Sequence, residues 1–179
     1  MGTKEGRIVV WKIKRGGQPS ATDQEATLPT LSGRIRVLSE KEPAIPSDTS
    51  ARLAVLPFRS RGDSTKIAEI CSSELATQLA NVEHLTLLER ERIEEVLDEL
   101  NLQASNLTKS DGARIGQLLN ADYLVLGSLN AVGTTYLLNA RLLRVQTSQI
   151  TEGRRVICEE CKGKDIFDAI HLLGTTIAK

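Results

Sequence analysis

Residues 122–159, DYLVLGSLNAVGTTYLLNARLLRVQTSQITEGRRVICE, contain the sequence pattern that is most informative about the fold. Three segments in it, 122–129, 136–145 and 150–159, have strand length, and the first two are rich in Leu, Val and Tyr. Short turns at 132–135 and 147–149 separate them, and strands joined by short turns pair antiparallel. The stretch therefore predicts a meander of three antiparallel strands.

Helices and strands alternate upstream of the meander. RLAVLPF (52–58) is a continuous apolar run ended by Pro57, typical of a central strand buried on both faces, and LTLLE (85–89) is a second short strand. Apolar residues at helical spacing predict four helices, at 64–81, 90–102, 108–120 and 164–178. This order predicts an α/β fold with a mixed sheet of about five strands packed by about four helices.

The composition changes before Ala51. Residues 16–50 are rich in Gly, Pro, Ser, Thr and charge, which predicts a flexible linker, although RIRVL (34–38) is a candidate to pair with a sheet edge. RIVVWKIK (7–14) predicts an N-terminal strand. We therefore divide the chain into an isolated strand at 1–15, a linker at 16–50 and an α/β domain at 51–179.

The isolated strand leaves two interpretations open. GTKEGRIVVWKI (2–13) resembles the closing strand of a WD-repeat propeller blade, which would make residues 1–15 the end of a preceding propeller-like domain. The alternative is an edge strand or an ordered arm.

Charge and composition exclude some classes of partner. Lys plus Arg and Asp plus Glu both number 23, so no overall field attracts the chain to nucleic acid, and only five aromatic residues are present for base stacking. Charged residues interrupt every apolar run before the roughly 18 residues that a spanning helix needs. The start has neither a signal-peptide core nor an acylatable Cys, so either the chain stays in the cytoplasm or its true beginning is missing.

The residues indicate no catalytic, cofactor or metal site, and we expect no enzyme activity. His84 and His171 are not at metal-ligand spacing. Arg59 and Arg61 could hold an anion, but a solvated turn is the favoured interpretation. The motif at Cys158 and Cys161 supplies too few ligands for zinc, and whether these two cysteines pair is left open.

The helix at 90–102 is the candidate partner surface. Its acidic residues outnumber Arg90 and Arg92, and a solvated, partly paired face is the simplest interpretation. The alternative is a docking surface for a basic partner or a neighbouring subunit. The acidic residues that would form this surface are Glu91, Glu94, Glu95, Asp98 and Glu99.

Several of these phrases together resemble one family. RLAVLPF, ELATQLANVEHLTLLERERIEEVLDELNLQASNL, IGQLLNADYLVLGSL and YLLNARLLRV, between residues 52 and 156, resemble the CsgG-like family, which includes the curli-secretion lipoprotein CsgG and is related to LpoB, FlgO and the N-terminal domain of TolB. The resemblance implies a non-catalytic domain of the bacterial cell envelope, periplasmic and associated with the outer membrane. The positions that match family motifs, all with expected structural roles, are Pro57, Phe58, Arg90, Gly116, Ala121, Asp122 and Gly127.

The sequence also departs from the family. Only about six residues separate Leu129 from Tyr136, too few for the long hairpins that build the curli pore. The chain lacks a lipobox, so membrane association would be indirect and a cytoplasmic location stays open. Ser148 stands in a turn where the family usually has Gly.

Three functions follow from these observations. The leading one is a scaffold or regulator of the cell envelope that acts through protein partners or self-association, without pore hairpins of its own. The second is a subunit of a CsgG-type oligomeric curli or secretion complex. The third is a cytoplasmic sensor or ligand-binding module of a longer protein.

Overall fold

A six-stranded mixed sheet with two helices on each face forms the centre of the fold. The computed structural model describes residues 35–38, 44–45, 47–60, 64–103 and 107–178. The strands are β1 (Ile35–Val37), β2 (Ala51–Val55), β3 (Leu85–Leu87), β4 (Tyr123–Val132), β5 (Thr135–Arg144) and β6 (Gln149–Cys158). The helices are α1 (Thr65–Ala80), α2 (Arg90–Glu99), α3 (Lys109–Leu119) and α4 (Asp165–Ile177).

The strands lie in the order β1-β6-β5-β4-β2-β3. The predicted meander is present: β4 pairs with β5, and β5 with β6, both antiparallel. Its first hairpin is tighter than expected, because the pair Val132 and Thr135 closes the ladder and leaves a two-residue turn in which Gly133 has a φ of +59°. β2 pairs in parallel with both β4 and β3, which helical crossovers make feasible.

Each face of the sheet has its own apolar core. Leu53, Val125 and Leu138 pack under α1 and α4 on one face, and Leu75 and Leu173 reach them from these two helices. On the other face, α2 and α3 cover a second cluster. Its fully or nearly fully buried members include Ala54, Leu56, Ile93, Val96, Ile115, Leu124 and Leu143. Burial on both sides explains why β2 has the continuous apolar run seen in the sequence.

The sheet has one strand more than the five predicted. β1 lies in the range predicted as a linker and pairs antiparallel with β6, from Ile35 opposite Cys158 to Val37 opposite Val156. Ile45, also in that range, is completely buried and forms a bridge with Ala178 after α4. The predicted strand at 7–14 lies outside the described residues. No helix among the described residues has the length and apolar character needed to cross a membrane.

Candidate functional site

The predicted acidic surface lies on the solvent-exposed side of α2. Ile93, Val96 and Leu97 fix the inner side of this helix against the second core, so its other side faces solvent. All five acidic residues of the predicted surface are exposed: Glu91, Glu94, Glu95, Asp98 and Glu99. We call these five side chains the acidic face.

Ion pairs within α2 neutralise only part of the acidic face. Arg90 Nε donates to Glu94 Oε1 at 2.7 Å, and Arg92 Nη1 donates to Glu95 Oε2 at 2.9 Å. Such exposed pairs contribute little stability. Three carboxylates of the face take part in no ion pair among the described residues: Glu91, Asp98 and Glu99. The acidic face therefore keeps a negative charge that a partner could neutralise.

A second charged surface lies on the same side of the sheet as α2 and α3, beyond the area that these helices cover. Exposure along this side of β4 rises from the fully buried Leu124 to the half-buried Ser128 and the exposed Asn130. The polar side chains in this uncovered area form what we call the arginine face: Arg59, Ser128, Asn139, Arg141 and Arg155.

Strand register aligns four members of the arginine face in one row. Arg59 forms a bridge with Ser128, Ser128 pairs with Asn139, and Asn139 pairs with Arg155. Arg155 Nε donates to Asn139 Oδ1 at 2.8 Å, and Asn139 Nδ2 donates to Ser128 Oγ at 3.4 Å. With strands about 4.8 Å apart, the row extends for roughly 14 Å across the sheet. Hydrogen bonds therefore link Ser128, Asn139 and Arg155, and an arginine lies at each end of the row.

The arginine face carries positive charge that no carboxylate balances among the described side chains. Arg141 and Arg155 are exposed and Arg59 is half-buried, and none of them joins an ion pair among the described side chains. Partial burial lowers the pKa of Arg59, and the neighbouring positive charge of Arg141 lowers it further. Arg59 and Arg141 repel each other, so a bound anion would stabilise both.

Apolar side chains border the arginine face towards β1. Leu137 and Ile157 pair with each other beside the row and are half-buried, and Leu38 is 51% exposed. Arg36, opposite Ile157, forms an ion pair with Glu159. The surface thus combines uncompensated arginines with a small exposed apolar margin, as interfaces between proteins often do.

Six of the seven family-motif positions lie in the scaffold beneath these surfaces, whereas Arg90 is exposed at the start of α2 and pairs with Glu94. Asp122 Oδ2 accepts a hydrogen bond from the Arg52 backbone N–H at 2.8 Å, which ties the α3–β4 turn to the start of β2. Ala121 is buried next to it. A Cβ on Gly116 would collide with Val145, so this glycine lets α3 approach the residue that follows β5.

Gly127 and Phe58 form a second close contact. The ring of the buried Phe58 lies over Gly127, and a Cβ at that position would overlap the ring. Pro57, half-buried, precedes Phe58 where the chain leaves β2 and runs beside β4 towards Arg59. The motif around Pro57 and Phe58 thereby sets the position of Arg59 on the arginine face.

The structure brings the five predicted acidic residues together on one helix, which Arg90 begins, whereas the other six motif positions are spread through the scaffold. Sequence reasoning treated Arg59 as part of a solvated turn and did not identify Asn139, Arg141 or Arg155. A signal was present: in YLLNARLL, Asn139 and Arg141 alternate with Leu138, Ala140 and Leu142, which is the pattern of a strand with one polar side. Arg61 lies outside the described residues.

The cysteines form one disulfide and one buried thiol. Cys158, the last residue of β6, forms a disulfide with Cys161. The backbone N–H of Cys161 donates to Thr134 O at 2.8 Å. Burial raises the pKa of the Cys71 thiol to about 12, which makes it a poor nucleophile. The pairing that the sequence left open is thus present in the structure.

Two cavities in the described part of the chain differ greatly in size and in exposure to solvent. A crevice of about 10 Å³ lies between Pro57, Arg59, Leu107 and Leu126, far below the roughly 300 Å³ of a small-ligand pocket. A wider depression of about 630 Å³ beside the start of α3 is open to solvent, unlike the clefts that enclose a small ligand, and is lined by Thr108, Ser110, Ala113, Arg114, Gln117 and Ser148. Among the described residues, no group of three or more His, Cys, Asp or Glu side chains is placed to hold a metal ion.

Comparison with known proteins relates the chain to one family. The family model described as "Curli production assembly/transport component CsgG" matches residues 20–141, more than half of the chain. No curated protein matches the sequence.

Solved structures share the fold at low sequence identity. The C-terminal domain of LpoB from Salmonella enterica is similar with a TM-score of 0.50 and 22% identity, covering 62% of this chain and 84% of that one. The LpoB structure from Escherichia coli determined by NMR has a TM-score of 0.50 and 18% identity, covering 86% and 95%. Lipoprotein GNA1162 from Neisseria meningitidis has a TM-score of 0.50 and 16% identity, covering 61% and 81%.

Proposed function

We propose that this chain, which belongs to the CsgG family, is a non-catalytic domain of the bacterial cell envelope that acts as a scaffold or regulator by contacting other proteins. The observation that carries the proposal is the acidic face of α2, a row of exposed carboxylates on a helix whose other side is anchored in the core. A charged surface on a rigid element suits recognition of a partner, because little conformational entropy is lost on binding.

The chemistry of the acidic face specifies the partner. Glu91, Asp98 and Glu99 have no ion-pair partner among the described residues, so a surface with Lys or Arg side chains would complement them. Electrostatic attraction of this kind accelerates association and selects against acidic competitors. We infer that the partner presents a basic patch at the contact with α2.

The family supports the envelope setting of the proposal. The matching family model is described by a role in curli production, assembly and transport. The fold shared with LpoB and with a neisserial lipoprotein agrees with this setting. We propose a periplasmic location associated with the outer membrane through partners.

The test reverses the charge of the acidic face. A chain with Glu91→Lys, Asp98→Lys and Glu99→Lys is compared with the unmodified chain for cross-linking to envelope proteins of the native host, which mass spectrometry then identifies. We expect a defined set of envelope proteins to be lost from the variant. The matched control carries Glu69→Lys, Glu74→Lys and Glu83→Lys, three exposed residues in α1 or just after it, and should retain the whole set.

Two results would contradict the proposal. The first is an identical set of cross-linked proteins for both variants and the unmodified chain. The second is a set without envelope proteins. Circular dichroism of each variant checks that the fold is kept.

A further inference from the structure

We propose that the disulfide between Cys158 and Cys161 is a reversible redox site, which a dithiol protein of the thioredoxin class reduces while the fold is kept. The chain is the substrate of this exchange and not its catalyst. The proposal goes beyond the scaffold role, because it rests neither on the acidic face nor on the arginine face. It concerns the end of β6 and the loop that leads from there to α4.

The two sulfur atoms of the pair differ in access. Cys158 is completely buried at the end of β6, where its backbone pairs with those of Ile35 and Tyr136. Cys161 is half-buried in the loop that follows and packs against the core under α1 and α4. Exchange begins when a thiolate attacks one sulfur of a disulfide, and its rate depends on access to that sulfur. An incoming thiolate therefore reaches Cys161 Sγ and not Cys158 Sγ.

The ring that the disulfide closes contains an unfavourable backbone conformation. Glu160, between the two cysteines, has a φ of +47°, in the left-handed region where a residue other than glycine is strained. The cysteines are only three positions apart in the chain, so their link constrains the unfolded chain less than the closure of a long loop does. Strained disulfides are more easily reduced than structural ones. Both properties favour a disulfide that can open.

Backbone contacts hold the loop in place independently of the disulfide. The backbone N–H of Cys161 donates to Thr134 O at 2.8 Å, which ties the loop to the β4–β5 hairpin. The backbone N–H of Lys162 donates to Asp165 Oδ2 at 2.9 Å, which fixes the approach to α4. Neither contact involves a sulfur atom. Reduction of the disulfide therefore leaves the loop attached to the rest of the domain.

The buried sulfur has a hydrogen-bond acceptor ready for its reduced form. Cys158 Sγ lies 3.9 Å from the backbone O of Asp165, the first residue of α4. In the disulfide this sulfur carries no proton, whereas the reduced thiol has a weak S–H donor that can point to this oxygen. The site thus accommodates Cys158 in both oxidation states without burying an unpaired polar group.

The exchange takes place in two steps. A thiolate of the dithiol protein attacks Cys161 Sγ, the S–S bond breaks, and Cys158 Sγ leaves with the electron pair and takes up a proton. The second thiol of the dithiol protein loses its proton and attacks the sulfur of its own chain in the mixed disulfide, which releases Cys161 to be protonated. The chain gains two electrons and two protons, and the dithiol protein is oxidised to a disulfide.

A redox titration of the full chain with thioredoxin tests the proposal. Mixtures of reduced and oxidised thioredoxin, at ratios from about 1:100 to about 100:1, are brought to equilibrium with the chain and quenched with N-ethylmaleimide in denaturant. Intact mass then distinguishes the oxidised chain, alkylated only at Cys71, from the reduced chain, alkylated at all three cysteines. We expect at least half of the pair to be reduced at a ratio of about 10:1, because structural disulfides resist reduction at least about 10-fold more than thioredoxin does. The circular dichroism spectrum should not change on reduction.

Single variants test which sulfur is attacked. Cys158→Ala leaves the half-buried Cys161, and Cys161→Ala leaves the buried Cys158. We expect the first variant to react with an aromatic disulfide reagent at least about 10-fold faster than the second. The control Cys71→Ala should leave the titration unchanged, because this thiol is buried in α1 and outside the pair.

Four results would overturn the proposal. They are three free thiols in the chain purified without reductant, a pair that stays more than half oxidised at a thioredoxin ratio of about 10:1, loss of the native circular dichroism spectrum on reduction, and equal reaction rates of the two single variants. The titration uses the unmodified chain, so it decides the question even where a variant fails to fold. None of these results changes the cross-linking that tests the acidic face.

Discussion

The close contact between Gly127 and Phe58 predicts how a single substitution changes the stability of the fold. Gly127 lies in a central strand with the Phe58 ring directly over it, so a methyl group has no room. We expect Gly127→Ala to destabilise the fold by about 1–3 kcal/mol, the usual cost of overpacking a core. Urea unfolding followed by circular dichroism measures the change.

Gly153 is the matched control for this substitution. It also lies in a strand, β6, but a Cβ there would meet no atom within 4 Å, so Gly153→Ala should change the unfolding free energy by no more than about 0.5 kcal/mol. Adding Phe58→Leu to Gly127→Ala should recover part of the loss, because the two residues touch. Equal effects of the two Gly→Ala substitutions would contradict the steric account.

Single residues show what the sequence could and could not predict. The resemblance indicated a structural role for Gly127 and Asp122, but their contacts with Phe58 and Arg52 join distant parts of the chain, which only the fold reveals. Ser148 stands where the family usually has Gly and has a φ of +52°, a backbone conformation that glycine adopts most easily. The departure noted in the sequence therefore coincides with a left-handed turn.

Helix α3 begins with a capping box whose acidic residue, Asp111, has a lowered pKa. Thr108 Oγ1 donates to Asp111 Oδ2 at 2.6 Å, the Thr108 backbone N–H donates to the same oxygen at 2.8 Å, and Thr108 Oγ1 accepts from Asp111 N. The Thr108 hydroxyl, and then its backbone N–H, hold the pKa of Asp111 below the usual value. The ionised carboxylate is thus the form that the folded helix favours.

This cap predicts a pH dependence of stability. Because the folded state lowers the pKa of Asp111, its contribution is complete above the unfolded pKa of about 3.9 and is lost as the pH falls through the folded value. Asp111→Asn should therefore reduce stability near pH 7 and have a progressively smaller effect below about pH 4. Unfolding curves at a series of pH values measure the difference between the two chains.

Thr108→Ser is the control for the cap, because serine keeps the hydroxyl that donates to Asp111. It should retain the acid sensitivity, whereas Thr108→Val should reduce it. A difference between the chain and Asp111→Asn that stays constant from pH 7 to pH 2 would contradict the role of the charged cap.

The elements themselves were largely predictable because their apolar periodicity is strong. All four helices and the β2, β3, β4, β5 and β6 strands were predicted near their observed positions. β1 was predicted only as an edge candidate, because a three-residue strand between Pro-rich and Ser-rich segments has no periodicity of its own and depends on pairing with β6. The arginine face was missed for a related reason: alternation identifies a polar side of β5, but not whether a helix covers it.

The fold of the whole chain separates acidic from basic surfaces, and the overall composition does not show this separation. Equal numbers of acidic and basic residues gave no reason to expect charged partners, yet the fold concentrates carboxylates on α2 and guanidiniums on the open part of the sheet. Net charge alone therefore does not predict which charged surfaces a fold presents.

The residue at which the folded domain begins can be tested with truncated chains. The composition places the domain start at Ala51, and this boundary stays a prediction. Ile35 and Ile45 precede it, yet they are 7% and 0% exposed and join the core beneath α4. A chain that starts at residue 51 loses both side chains and leaves the β6 edge without the β1 ladder.

We therefore expect residues 51–179 to be less stable than residues 33–179 by roughly 3 kcal/mol or more, since burying an Ile side chain contributes about 1.5–3 kcal/mol. The exposed edge of β6 should also make the shorter chain prone to aggregate, because an unpaired strand is a template for other chains. Urea unfolding and light scattering of the two fragments measure these effects. Equal unfolding free energies would place the domain start at Ala51 and would make β1 an accessory strand, whereas the expected loss extends the domain into the segment that its composition predicts to be a linker.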